Sequence, residues 1–169
     1  GGNGFVYTPP TGFKALNSKN LPPNVPSIIN PQKHFGTLLY TGDGSSSNRI
    51  SGLEFKPDFV WLKNRNNVKW HIWVDSLRGN SKNLSSNSDT AEFTETHITS
   101  FNEDGITVDD IDSGTANENS YTYVAWCWKA GGAAVSNSDG SITSSVSVNQ
   151  EAGFSVVTWT GTNGTGTIG

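Results

Sequence analysis

Apolar and polar residues alternate with a period of two through much of the chain. In residues 70–74, Trp70, Ile72 and Val74 fall on one side of the alternation, and His71 and Trp73 fall on the other. Successive side chains of a β-strand point to opposite faces, so this pattern predicts a strand. The same pattern predicts strands at 36–41, 57–63, 97–101, 105–109, 121–129, 141–148 and 154–160. Helical spacing of apolar residues is absent, so no helix longer than two turns is expected.

The predicted strands are joined by turn sequences, and their apolar faces predict a core. Asn102–Gly105 predicts a hairpin turn because glycine tolerates a positive φ, and Ser138–Gly140 predicts another. The three clearest strands are 57–63, 70–74 and 121–129. We expect their apolar faces to be buried; these faces comprise Val60, Leu62, Trp70, Ile72, Val74, Val124, Trp126 and Trp128. The pattern predicts an all-β, antiparallel fold.

A short internal sequence repeat predicts the domain organisation. Phe35–Gly44 is matched by Phe154–Asn163, with aromatic residues and glycines at corresponding positions. One interpretation is a β-sandwich repeat unit at 35–153, followed by the start of another unit at 154–169. A chance match, or two similar edge strands of one domain, is the alternative. Residues 9–34 are rich in proline, which predicts an extended linker.

Composition and charge narrow the functional classes. Charged residues make up 15% of the chain, below the ~25% of a typical globular protein. The net charge is −4 and no basic cluster is present, so nucleic acid is not an expected partner. No apolar run has the length of a membrane span, so membrane insertion is not expected either. The single cysteine, Cys127, is interpreted as a small buried apolar residue.

Several segments resemble those of a known group of proteins. The segments are Pro57–Arg65, Val74–Gly79, Leu84–Ser86, Ser100–Gly105 and Tyr123–Gly131. In this order and spacing they resemble repeat domains of phage structural proteins, those of marine phages in particular. The resemblance implies a jelly-roll β-sandwich of the concanavalin A-like kind and a place in the virion, commonly in host attachment. It implies no assigned catalytic residues and no ligand.

The N-terminal region carries a resemblance of its own. Tyr7–Asn17 resembles the closing segment of an SPRY-like domain. Residues 1–34 are therefore interpreted as the end of a preceding SPRY-like domain together with the proline-rich linker.

No enzymatic activity is expected from the sequence. Glycosidases on sandwiches of this kind place their carboxylates as Glu-x-Asp-x-x-Glu on one strand, and this pattern does not occur. Lys129–Gly131 resembles part of a polysaccharide lyase motif, but its partner strands are missing. No cofactor is expected. His34, His71 and His97 lack the spacing of zinc ligands.

An acidic loop is the one candidate metal site. Asp109, Asp110 and Asp112 provide carboxylate oxygens of the kind that Ca²⁺ binds. The loop lacks the terminal glutamate of an EF-hand, so a solvated turn is the favoured interpretation and calcium is the alternative.

Four residues are candidates for ligand binding. Asp75 and Arg78 lie three positions apart after a predicted strand, where an arginine fork can clamp a carboxylate with two bonds. A structural pair is favoured, and a pair that faces a sugar is the alternative. Trp61 and Trp73 are out of phase with the apolar residues of their strands. They predict a buried second layer or, if exposed, rings that stack on a sugar.

The resulting hypothesis is a non-catalytic structural and adhesion module of a phage tail fibre or other virion appendage, located on the virion and outside the cell. Its expected partners are other virion subunits, a homo-oligomer included, with host-surface glycans as a candidate ligand. The alternative is a carbohydrate-binding module of a secreted bacterial protein. A glycan-cleaving depolymerase is a third class, which requires an acidic cleft.

Overall fold

The computed structural model describes Thr11, residues 28–109 and residues 114–169. Within these ranges the chain forms β-strands and one short 3₁₀ turn, Pro31–Lys33, and no α-helix. The part of the chain described here also contains no helix with the length and apolar character needed to cross a membrane. Most of the predicted preceding domain and linker, 1–34, lies outside the described residues.

The strands follow one another closely along the chain. In order they are β1 (Phe35–Thr41), β2 (Asn48–Ser51), β3 (Phe59–Asn64), β4 (Ile72–Asp75), β5 (Lys82–Ser85), β6 (Phe93–Thr94), β7 (Ile98–Asn102), β8 (Gly105–Val108), β9 (Thr122–Trp128), β10 (Val135–Asn137), β11 (Ser144–Asn149) and β12 (Phe154–Trp159).

The strands pair into three sheets. The largest has six strands in the order β1-β9-β3-β4-β5-β6, and two three-stranded sheets have the orders β2-β8-β7 and β10-β11-β12. Every strand pair is antiparallel. The expectation of an all-β antiparallel fold is confirmed, and the arrangement is consistent with a β-sandwich.

The core contains side chains of both the six-stranded sheet and the β2-β8-β7 sheet. Alternate positions on β3 and β4 are fully buried, so the phase predicted for these two strands is confirmed. The β7-β8 hairpin supplies residues from the second sheet. The core comprises Leu38, Leu53, Phe55, Val60, Leu62, Ile72, Val74, Ile98, Ile106, Val108, Ala116, Tyr123, Ala125 and Cys127.

On β9, Val124 is buried as expected, but the predicted burial of Trp126 and Trp128 is wrong. Tyr123, Ala125 and Cys127 line the core, and Trp126 and Trp128 lie on the other face, half-buried. Both faces of this strand are apolar, so alternation could not distinguish them. The two indole rings pack against aromatic residues of β3 on the outer side of the sheet, and this ring packing takes the place of burial in the core.

The predicted burial of Trp70 is also wrong. Strand β4 begins two residues later than expected, at Ile72, which leaves Trp70 on the preceding loop with 42% of its surface exposed. Its ring packs against Phe93, with centroids 5.0 Å apart. The alternation of apolar and polar residues therefore begins two residues before the strand itself.

The predicted hairpin at Asn102–Gly105 joins β7 to β8. The glycine is required chiefly because β2 passes close to it. A Cβ atom at position 105 would lie 2.0 Å from the carbonyl oxygen of Ile50. The requirement thus comes from strand packing, in addition to the turn conformation that the sequence indicated.

Strand β12 pairs with β11 of the same chain, whereas β1 pairs with β9. The two segments of the internal sequence repeat therefore pair with different strands in this structure. The interpretation of 35–153 and 154–169 as one unit and the start of another stays a prediction.

Cys127 should be unreactive in the folded protein. Its side chain is fully buried, and this burial raises the pKa of the thiol to about 12. The thiolate is the reactive species, so we expect iodoacetamide to label Cys127 only as the protein unfolds. Mass spectrometry along a urea titration measures this, with the free thiol of cysteine as the control. Rapid labelling without denaturant would contradict the burial of β9.

Candidate functional site

The outer surface of the six-stranded sheet carries a continuous group of aromatic side chains. They lie on β1, β3, β4 and β9 and point away from the core, because alternate residues of each strand occupy opposite faces. We call this surface the aromatic face; it comprises Phe35, Phe59, Trp61, Trp73, Trp126 and Trp128. Phe35 is 42% exposed and the other five are half-buried.

Strand register arranges the aromatic face into two rows. Trp61 pairs with Trp73 on β4 and with Trp126 on β9. In the second row, Trp128 pairs with Phe59 on β3 and with Phe35 on β1. Ring centroids within the rows are 4.9–5.9 Å apart, a spacing typical of favourable aromatic pairs.

The ring orientations limit what Trp61 and Trp73 can bind. Their planes meet at 87°, and Trp126 is tilted by 51° against Trp61, so these rings form no flat platform. The indole N–H groups of Trp61 and Trp73 are covered and find no acceptor among the described residues. This geometry favours packing against another apolar surface over stacking on a sugar, whose hydroxyls would need accessible donors.

Strand β12 extends the aromatic face at one end. The ring of Phe154 is nearly parallel to that of Trp128, 6.0 Å away, and lies 6.3 Å from Phe59. At the β1 edge, Leu39 is 64% exposed on the same side of the strand as Phe35. An apolar surface thus runs from β12 across the sheet to its free edge.

Asp75 and Arg78 form the ion pair that their spacing predicts, but not the expected two-bond clamp. Arg78 Nε donates to Asp75 Oδ2 at 2.6 Å, while Nη1 donates to Glu92 at 3.0 Å and Nη2 to the carbonyl of Trp73 at 3.3 Å. Asp75 Oδ1 accepts the backbone N–H groups of Leu77 and Arg78. Since Nε and both Nη atoms are engaged within the chain, the geometry favours the structural interpretation.

The structure brings together no metal ligands in the ranges it describes. Within 28–109 and 114–169, no three His, Cys, Asp or Glu side chains are grouped so as to hold an ion. Asp109 lies just after β8, whereas Asp110 and Asp112 fall outside the described residues. The calcium hypothesis for this loop stays a prediction.

Trp70 is a functional candidate that sequence reasoning assigned to the core. It lines a groove of about 520 Å³ together with Val68, Lys69, Asn87, Ser88 and Thr115. Burial and the nearby charge of Lys63 lower the pKa of the adjacent His71, which is therefore neutral at neutral pH. The polar run of residues 64–67 before Trp70 is the signal that could have indicated a loop.

The fold and site define an all-β module of antiparallel sheets with an aromatic outer surface. The chain belongs to the family described as "Domain of unknown function (DUF7483)", whose model matches residues 30–169. No curated protein and no solved structure matches the chain.

Proposed function

We propose that the chain is a non-catalytic structural and adhesion module of a phage virion appendage, built as a jelly-roll sandwich of the concanavalin A-like kind. Five segments resemble, in the same order, repeat domains of phage structural proteins. This resemblance supports a place in a phage virion. The low content of charged residues and the all-β architecture suit a surface module. The absence of the Glu-x-Asp-x-x-Glu pattern supports a non-catalytic role.

The aromatic face is the observation that carries this proposal. Sheets normally bury one face, and an additional apolar surface on the other is typical of an association site. Aromatic residues are also enriched in protein interfaces. Trp61, Trp126 and Phe35 together provide such a surface outside the core.

The occupant that we propose for the aromatic face is a second copy of this chain. Residues 154–163 match the sequence of β1 and of the turn after it. In this structure they place Phe154 against Trp128 and Phe59. A second copy of the chain carries the same strand, and its phenylalanine would make the same kind of contact with the aromatic face. Copies joined through such a face form a homo-oligomeric appendage, with other virion subunits at its ends.

Replacement of Trp126 by Ser should weaken self-association. Truncation of a central interface tryptophan commonly costs ~2 kcal/mol or more, which corresponds to an affinity loss of at least about 30-fold. Analytical ultracentrifugation over a concentration series measures the change. Trp70→Ser, which removes an exposed tryptophan away from the aromatic face, is the matched control. Circular dichroism verifies that both variants fold. A wild-type protein that stays monomeric, or a Trp126→Ser variant that associates normally, would contradict the proposal.

A carbohydrate-binding module of a secreted bacterial protein is the second candidate function. The exposed ring of Trp70 favours it, because such rings stack on sugars without rearrangement. Glycan binding by a protein that shows no self-association would support this alternative.

A further inference from the structure

The groove beside Trp70 has the composition of a sugar-binding site and lies apart from the aromatic face. Its aromatic wall is Trp70, 42% exposed, whose ring is supported by Phe93. Phe93 packs in turn against the core, and its ring is edge-on to that of the buried His97. The exposed ring is therefore held in place before any ligand binds, which lowers the entropic cost of binding.

Asn87 supplies hydrogen-bond donors whose orientation is defined. Its Oδ1 accepts the backbone N–H of His71 at 2.9 Å and the hydroxyl of Ser85 at 2.9 Å. Both acceptor positions of the amide oxygen are thus in use, and the exposed Nδ2 retains two N–H groups for a ligand. A sugar hydroxyl or carboxylate is an acceptor of the required kind.

Lys69 gives the groove its charge. Its side chain is half-buried and passes close to Gly114, where a Cβ atom would lie 3.0 Å from Lys69 Cε. Its ammonium group has no ion-pair partner in the described ranges, and no acidic side chain lines the groove there. The described lining combines an aromatic wall, N–H donors and one positive charge.

We propose that this groove binds an acidic sugar, with the ring on Trp70, hydroxyls on Asn87 Nδ2 and the carboxylate on Lys69. Ammonium and carboxylate form charge-assisted hydrogen bonds, which distinguish an acidic from a neutral sugar. This inference rests on the adhesion part of the proposed function and names its ligand class. It does not depend on assembly through the aromatic face.

Calorimetric titration with defined probes tests the inference. The acidic probes are 3′-sialyllactose and a mannuronate tetrasaccharide, and lactose and mannotetraose are their neutral counterparts. We expect at least one acidic probe to bind more tightly than its neutral counterpart. Trp70→Ala should weaken that binding at least about tenfold. Lys69→Gln should reduce it by roughly threefold and should leave weak binding of the neutral probe unchanged.

Trp159→Ala is the matched control, because Trp159 is 54% exposed on β12 and away from the groove. It should bind as the wild type does. Binding that survives Trp70→Ala overturns the site, and equal binding of acidic and neutral probes overturns the ligand class. If no probe binds, the inference and the glycan part of the adhesion role both fail. Self-association, measured separately, then still tests the assembly role.

Discussion

Replacement of Arg78 by Met should lower the free energy of unfolding by about 3–5 kcal/mol, the range found when one partner of a buried ion pair is removed. The Asp75 carboxylate has a side-chain exposure of only 4% and would keep its two backbone N–H donors on Oδ1. Its Oδ2 would lose the Arg78 Nε donor. Methionine retains much of the packing of the arginine stem, so the loss reports mainly on charge and hydrogen bonding.

Arg49→Met is the matched control for this prediction. Arg49 also contacts a carboxylate, that of Asp104, at 2.6 Å, but the two side chains are 55% and 44% exposed. An exposed pair contributes about 0–1 kcal/mol, so the two variants should differ clearly in urea unfolding. Similar losses for both variants would show that burial does not determine the contribution of the Arg78 pair.

Sequence patterns predicted the buried face of a strand correctly where one face is apolar and the other is mixed. On β3 the apolar positions Val60 and Leu62 alternate with Trp61 and Lys63, and on β4 Ile72 and Val74 bracket Trp73. The expected residues are buried on both strands. Strand β9 offered two apolar faces, and the selection between them depends on which residues the opposite sheet can accommodate. That information belongs to the tertiary packing and not to the strand.

Short polar strands also escaped prediction. Strands β2 and β5 have four residues each, and β10 has three, with few large apolar side chains among them. They form because a neighbouring strand offers backbone hydrogen bonds, as β8 does for β2. A pattern based on side chains contains little information about pairing of this kind.

The candidate sites were predictable only in part for the same reason. The three-residue spacing of Asp75 and Arg78 predicted their contact, because these two residues are close in any tight turn. The third partner, Glu92, comes from a distant part of the sequence and was not predictable. The contacts of Trp61 with Trp73 and Trp126 depend on the registers of two strand pairs. Sequence alternation marked the tryptophans as out of phase but could not place them in one row.

Replacement of Tyr123 by Ala should cost about 3–5 kcal/mol of stability, as expected for a large aromatic side chain in a packed core. Tyr123 is fully buried on β9, and its ring stacks on that of Tyr40 with centroids 5.0 Å apart. Its hydroxyl accepts the N–H of Glu118 at 2.9 Å and donates to the carbonyl of Gly114 at 3.2 Å. The alanine variant would lose the ring contacts, create a cavity and leave both backbone groups without this partner.

Tyr123→Phe separates the two contributions. It keeps the ring and removes only the hydroxyl, so it should cost about 1–3 kcal/mol, the cost of leaving buried polar groups unpaired. Urea unfolding followed by circular dichroism gives both values from one experiment. The order wild type, Tyr123→Phe, Tyr123→Ala in decreasing stability is expected because packing and hydrogen bonding both depend on this side chain. A Tyr123→Ala variant as stable as the wild type would mean that the core lies on the Trp126 side of β9, and the aromatic face would then lose its status as an outer surface.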